Sequence, residues 1–453
     1  MAIDRRHFIS AAVTGVVVGP TIVATPARAI ALSALGIDAA QLGVRAGAAD
    51  DQSQALQRAI DQAAKSGAPL ALGPGLYRAG DLRLPAGGQL VGVRGATRLV
   101  LSRGAPLISA SHTEQPSLSG LVLDGAGIPL GAGRGLIHFS GARKIKISDC
   151  EIARAGGTAI LLEQCGGEIA GNTISDADIA VHSLDARGLI ISNNDIAKAG
   201  NNGIQVWQSD KRDDGTLVVD NRIEDTAARG GGSGQNGNAI NIFRAGNVVV
   251  RGNRIRNAAF SAVRGNAASN IVIAGNSCSG LGEVAIYSEF DFEGAVIANN
   301  TIDGAALGVA VTNFKQGGRL AVVQGNLIRN VTRSRPPGTD PNDSFGVGIG
   351  VEADTAVTGN VIENAPNAGI AIGWGEYQRD VSVTDNIVRQ CGYGITVSIA
   401  PGAGAALIAN NLITGAGRGA IVGMEWKKAV TEDLVRGDSS QYPKLTIHGN
   451  LAR

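Results

Sequence analysis

An asparagine returns along this chain at nearly even intervals: Asn172, Asn194, Asn221, Asn253, Asn276, Asn300, Asn326, Asn360, Asn386, Asn411 and Asn450. Most successive gaps run from 22 to 27 residues. Such a period belongs to solenoids, in which one unit cannot bury its apolar face until others stack on it. Each unit follows one grammar, clearest in VIANNTIDGAALGVAVTN (296–313). A short β-branched strand leads to an Asn turn, an apolar residue stands two places on, and a second alternating strand opens on a small residue. Period-two alternation with Gly/Asn punctuation specifies strands, and nothing helical recurs. A coil of about 22 residues holds three short strands and three turns, so the expected fold is an all-β, single-stranded parallel β-helix.

The asparagine itself is explained by the corner. It tolerates left-handed backbone, and its amide both donates and accepts. Coils stack about 4.8 Å apart, so the amides are expected to bond into a ladder. The recurrent Gly-Asn-x-Ile is therefore read as architecture. Composition agrees: 65 glycines with only 4% aromatic residues suit narrow repeated turns better than one large aromatic core.

The N-terminus has a different character. Arg5 and Arg6 precede a short, weakly apolar run broken by Gly15, Gly19 and Pro20, and ARA at 27–29 offers small residues for cleavage. This is the pattern of a twin-arginine export signal and is too short to span a bilayer. The expected division is 1–29 as signal, 30–67 as an N-terminal segment with a capping helix, and 68–453 as the β-helix. The product is expected to be periplasmic or secreted, with the twin-arginine machinery as a partner and no membrane span in the mature chain. Without the signal, Lys+Arg and Asp+Glu stand at 37 and 38. That balance lacks the basic field that nucleic acid or an anionic membrane demands. Cys150, Cys165, Cys278 and Cys391 match no metal-ligand spacing and are read as buried thiols.

DDQSQALQRAIDQAAKSG (50–67) carries Leu56, Ile60 and Ala63 on one face, with Asp51 or Ser53 as N-cap and Gly67 as the stop. Such a helix would cover the open end of the first coil. MEWKKAVTEDLVRGDSSQYPK (424–444) interrupts the repeats and is read as a loop or short helix shielding the last coils.

The helix followed by GPGLY (73–77) resembles the start of pectate-lyase-like right-handed β-helix proteins. That superfamily includes polysaccharide lyases, hydrolases, epimerases and phage tailspikes. The export signal joined to the Asn-centred repeats is similar to a group of twin-arginine-translocated repeat proteins of unassigned function. The resemblance implies the right-handed fold over nearly all of the mature chain. It carries over no paired-aspartate hydrolase motif and no Arg-x-x-Arg lyase motif, and fold is not function.

Candidate site residues come from aligning the second strands on their first inward residue: Ile137, Ile160, Ile179, Ile204, Ile240, Val263, Ile286, Val309, Ile349, Ile370 and Ile395. Side chains one and three places later then face outward. They form a stripe of His138, Glu163, His182, Gln205, Trp207, Asn241, Phe243, Arg264, Asn266, Tyr287, Glu289, Thr312 and Glu352. Aromatic, carboxylate, imidazole and guanidinium groups in file suit a polysaccharide or oligosaccharide. Two insertions, 224–239 and 332–346, leave one corner and are expected to wall the coils of Arg264, Tyr287 and Glu289. The walled trough would be about 19 Å long.

Two chemistries fit. In β-elimination or C5 epimerisation of a uronate glycan, Arg264 would neutralise the carboxylate, while Tyr287 and Glu289 would serve as acid or base. Glu163, His182, Gln205, Trp207, Asn241, Phe243, Asn266 and Glu352 would bind substrate. Glycoside hydrolysis needs two carboxylates about 5–10 Å apart. Glu352, counted three coils and about 14 Å from Glu289, is too distant for that. Glu289, Asp291 and Glu293 could instead hold Ca²⁺, although no cofactor is required. A non-catalytic repeat protein binding an envelope glycan or a cofactor is the alternative from a different class.

Overall fold

The computed structural model describes residues 32–453 apart from 105, 233, 338, 340–344 and 438. The expected export signal lies outside the described residues. Each coil turns twice through left-handed backbone around a three-residue strand. Around Asn300 the corners are Asn299 (φ 57°) and Gly304 (φ 83°), and the strand between them is Thr301–Asp303. The same bracket recurs with Gly275 and Gly280 around Asn276, and with Asp385 and Gln390 around Asn386.

The repeated asparagine is thus not the left-handed residue. That conformation belongs to its predecessor, which is Gly171, Gly252, Gly275, Gly325, Gly359 or Gly449 in six coils and Asn or Asp in Asn193, Asp220, Asn299, Asp385 and Asn410. These are the residue types that tolerate positive φ at least cost. The expectation that one asparagine serves both purposes is corrected to a division between two neighbours.

Released from the corner, the asparagine side chain points inward and builds the ladder. Asn300 Nδ2 donates to Asn326 Oδ1 at 3.0 Å and to the Ile273 carbonyl at 3.0 Å. Its Oδ1 accepts from the backbone N–H and Nδ2 of Asn276, both at 3.0 Å. The chain of bonds runs unbroken from Asn172 through Asn194, Asn221, Asn253 and on to Asn450. Each buried amide therefore finds partners, as buried polar groups must.

Among the described residues, one face of the solenoid is a 16-stranded sheet, and the other two faces join as a 28-stranded sheet. Among the described residues, the strands pair in parallel except at one hairpin near the C-terminus, and a single antiparallel bridge joins Trp374 and Tyr377. Ile160, Ile204, Ile240, Val263 and Ile286 stack in the interior with no exposed surface. Each such side chain contributes about 1.5–3 kcal/mol by leaving water. One place in the expected alignment slips: Val181, not Ile179, stacks between Ile160 and Ile204, because the register shifts after Ala177.

The capping helix spans Ser53–Lys65 and buries Leu56, Ala59, Ile60 and Ala63 against the first strands. The N-cap position falls on Gln52 and not on Asp51 or Ser53, while Asp51 Oδ1 accepts from the Ser53 N–H at 2.8 Å. The C-terminal interruption is part hairpin and part loop. Ile421–Glu425 and Lys428–Asp433 form the antiparallel hairpin, after which Leu445–His448 rejoins the sheet. All four cysteines are free and buried, and burial pushes the thiols of Cys150, Cys165 and Cys391 up to about 11 and that of Cys278 to about 12.

The division between corner and ladder predicts opposite outcomes for adjacent asparagines. Asn300→Ala leaves buried partners unmet on both sides and should cost about 2–4 kcal/mol in chemical denaturation. Asn299→Gly keeps the left-handed corner and should stay within about 1 kcal/mol of the parent.

Candidate functional site

The outer face of the second strands carries two files of side chains fixed by register. One runs His138, Leu161, His182, Gln205, Asn241, Arg264, Tyr287. The other runs Ser140, Glu163, Leu184, Trp207, Phe243, Asn266, Glu289. The stripe expected from sequence therefore exists, but it has three different sections.

The first section is a ridge packed on itself. His138 Nε2 lies 2.9 Å from Glu163 Oε2. The His182 ring meets Trp207 edge-on at 5.2 Å, and Trp207 meets Phe243 edge-on at 5.6 Å. Trp207 Nε1 donates to Asn241 Oδ1 at 2.9 Å. Burial drives the His182 pKa down to about 4 against the pull of Glu163, so the ring is neutral at pH 7. His182 Nε2 and Gln205 Oε1 are buried without a protein partner. The structure brings Glu163, His182, Gln205, Trp207, Asn241 and Phe243 together as a ridge in which Gln205 and Asn241 are buried while Glu163, His182, Trp207 and Phe243 stay partly exposed.

The second section is an ion cluster. Arg264 grips Glu289 with two bonds, Nε to Oε1 at 2.6 Å and Nη2 to Oε2 at 2.8 Å, while Nη1 reaches Glu283 Oε2 at 3.0 Å. Asn266 Nδ2 donates to Glu289 Oε1 at 3.0 Å, and the guanidinium carbon sits 4.8 Å from the Tyr287 ring centroid. Burial opposes the Arg264 charge, but Glu289 and Glu283 more than offset it and raise the pKa. The first insertion does not stand as a wall. It folds over the cluster, where the Gly234 carbonyl accepts from Asn241 Nδ2 at 2.8 Å and a Cβ on Gly234 would lie 3.7 Å from Arg264 Nη2. Arg264 and Glu289, expected as catalytic groups, are 6% and 1% exposed and hold each other under this cover. A guanidinium already holding two desolvated carboxylates would lose strong bonds to reach a substrate.

The expected Ca²⁺ ligands also separate. Glu289 faces Arg264, Asp291 lies 3.2 Å from Lys211, and Glu293 pairs with Arg319. Among the described residues, no three His, Cys, Asp or Glu side chains converge as a metal site.

The third section is a groove. Beyond Tyr287 the first file shrinks to Ala310, Gly350 and Ala371, and the lost side-chain volume opens a concavity of about 240 Å³. Leu307 and Val347 complete an apolar floor, Tyr287 and Glu283 close one end, and Trp374 stands at the other. Arg335, from the second insertion, lines the same space. Sites that enclose a drug-sized ligand run about 300–1,000 Å³, so this groove would hold a short part of a longer molecule.

Glu352 supplies the groove's titratable group. The register places it two coils from Glu289, about 10 Å along the solenoid and not three coils away. Its Oε2 accepts from the Phe314 N–H at 2.7 Å, beside the left-handed turn at Asn313. Burial pushes its pKa up to about 7, while the Phe314 and Asn313 N–H groups pull the other way. At neutral pH this carboxyl both donates and accepts protons, the condition suited to general acid–base work. Trp374, Glu283 and Arg335 were missed in the sequence. The signal was the drop from Tyr287 to Ala310, Gly350 and Ala371, followed by GWG at 373–375, where both glycines have positive φ and push the indole out of the coil.

A larger hollow, about 1,030 Å³, lies on the 16-stranded sheet along Val272, Val296, Val322 and Ala356. It offers less chemistry, since its Asp354 is bound by Arg319 at 3.1 Å and by Arg379 at 2.8 Å.

Comparison with solved structures gives the same architecture. The pre-mature gene product 12 of bacteriophage phi29 superposes with a TM-score of 0.52 at 15% identity, covering 92% of this chain and 57% of the phage protein. This chain thus spans little more than half of that relative's length. The catalytic unit of a thermostable GH87 α-1,3-glucanase from Streptomyces thermodiastaticus gives 0.47 at 16% identity over 92% of this chain and 68% of the enzyme. The A-module of a mannuronan C-5 epimerase from Azotobacter vinelandii gives 0.38 at 16% identity over 92% and 99%. Likeness at these identities shows fold alone. No curated protein matches the sequence. Among the described residues, no helix is long and apolar enough to cross a membrane. Residues 130–234 and 211–377 match the model of the right-handed β-helix region. Those matches together span more than half of the sequence, and the chain belongs to the right-handed β-helix family.

Proposed function

We propose that the protein binds an extended glycan across the groove between Tyr287 and Trp374 and transfers a proton at Glu352. The observation that carries this reading is a half-buried carboxyl, poised near neutrality, beside an apolar floor with an aromatic ring at each end. Sugar rings present apolar C–H faces and polar rims, which such a surface complements.

For a uronate residue the chemistry is proton abstraction at C5. Ionised Glu352 takes the proton. In elimination the electron pair forms the C4–C5 double bond, the C4–O4 bond breaks, and the leaving oxygen takes a proton from water in the groove. In epimerisation a proton returns to C5 from the opposite face. Arg335 is the guanidinium lining the groove, so it replaces Arg264 as the group facing the substrate carboxylate. Hydrolysis is less well supported, because the Glu289 carboxylate is held by Arg264. The setting we propose is periplasmic or secreted, reached through twin-arginine export, on the strength of Arg5, Arg6 and the small residues at 27–29.

With oligogalacturonate or oligomannuronate as substrate, turnover is read as ultraviolet absorbance of unsaturated product or as solvent deuterium entering C5. Glu352→Gln should lower either rate by about 100-fold or more while binding stays within a few-fold. An unchanged rate would remove Glu352 from the chemistry.

Glu352 also sets a pH dependence of stability. Its folded pKa is raised from 4.5 to about 7, so its contribution is full below about pH 4.5 and is lost as pH rises to about 7. The stability of the parent relative to Glu352→Gln should therefore fall by about 1–2 kcal/mol between pH 5 and 8, allowing for partial solvent screening. A constant difference across that range would contradict the assigned ionisation.

A further inference from the structure

Past Trp374 the groove meets the C-terminal hairpin, whose turn carries Trp426. This residue has φ 54°, a conformation costly for a bulky side chain and easy for glycine. It is nonetheless 48% exposed, so burial alone does not explain an indole there. Backbone conformations of this kind cluster at functional sites.

The ring has company. Trp426 stands edge-on to Trp374 at 5.5 Å and to Tyr377 at 6.2 Å. One side of it rests on Gly375, where a Cβ would come within 2.4 Å of the indole. Two of the chain's three tryptophans therefore meet at the open end of the groove. Two ammonium groups flank them: Lys427 Nζ lies 5.9 Å from the Trp374 ring centroid and Lys315 Nζ 5.8 Å from that of Tyr377. The groove itself presents Glu283, Glu352 and Arg335, while at this end Lys315 and Lys427 stand beside the aromatic rings, with Glu376 and Glu425 adjoining Tyr377 and Trp426 in sequence.

We infer that Trp426, Trp374 and Tyr377 form a second glycan subsite, in which a pyranose ring stacks on the aromatic platform and its carboxylate pairs with Lys315 and Lys427. The subsite rests on the reading of the groove as a glycan site and gives it a substrate class: an acidic, uronate-containing glycan bound across the groove and onto the hairpin. Aromatic faces accept the C–H side of a sugar, and adjacent ammonium groups select an anionic ring over a neutral one.

Calorimetric titration with tetragalacturonate, tetramannuronate and neutral cellotetraose tests this. The parent should bind an acidic tetramer at least ten-fold more tightly than cellotetraose. Trp426→Gly should weaken acidic-tetramer binding by ten-fold or more, with a thermal midpoint equal to or above the parent's, since glycine suits the turn. The double variant Lys315→Ala, Lys427→Ala should remove the preference for the acidic tetramer. Unchanged binding by Trp426→Gly, with binding lost in Tyr287→Ala, would overturn the subsite and leave the groove reading standing. Equal binding of cellotetraose would overturn the acidic substrate class. A parent that binds none of the three would overturn both readings.

Discussion

The buried file of asparagine amides is the interaction on which the rest of the molecule depends. Each amide links its own coil to the two beside it, and each is freed for that work by a left-handed neighbour that turns the chain, as Asn299 does for Asn300. Once every coil turns at the same place, the strands fall into register. Residues 20 to 40 positions apart then become side-by-side neighbours on one surface.

Register turns sequence variation into surface relief. Where successive coils place large side chains in one file, they pack on each other, as His182, Trp207 and Phe243 do. Where the file contracts to Ala310, Gly350 and Ala371, the surface is hollow. The groove is therefore made by missing side-chain volume and only secondarily by insertions. The first insertion covers Arg264, while the second brings Arg335 to the opening. Charge follows the same division: Arg264, Glu283 and Glu289 satisfy one another under cover, whereas Glu352, which accepts from the Phe314 N–H, has its pKa pushed up by burial to about 7.

The repeat, its strands and the capping helix were legible because they follow local periodicity. The stripe was legible because a strand alternates. The sequence could not show that a register shift after Ala177 puts Val181 in the place given to Ile179. Nor could it show that Gly234 lies against Arg264, since the direction of a glycine-rich loop is set by contacts such as the Gly234 carbonyl with Asn241. Trp374 and Trp426 escaped notice for a related reason: each sits in a tight turn outside the repeat, and only the folded chain brings them within 5.5 Å.

The central claim is that one face of the solenoid, from Tyr287 to the C-terminal hairpin, receives an acidic glycan. Amide hydrogen exchange with and without saturating tetragalacturonate or tetramannuronate tests it most directly. The account predicts slowed exchange in 307–316, 347–352, 371–378 and 421–428, with residues 271–274 and 294–298 of the opposite sheet unchanged. Protection confined to that opposite sheet, or none on either face, would contradict it.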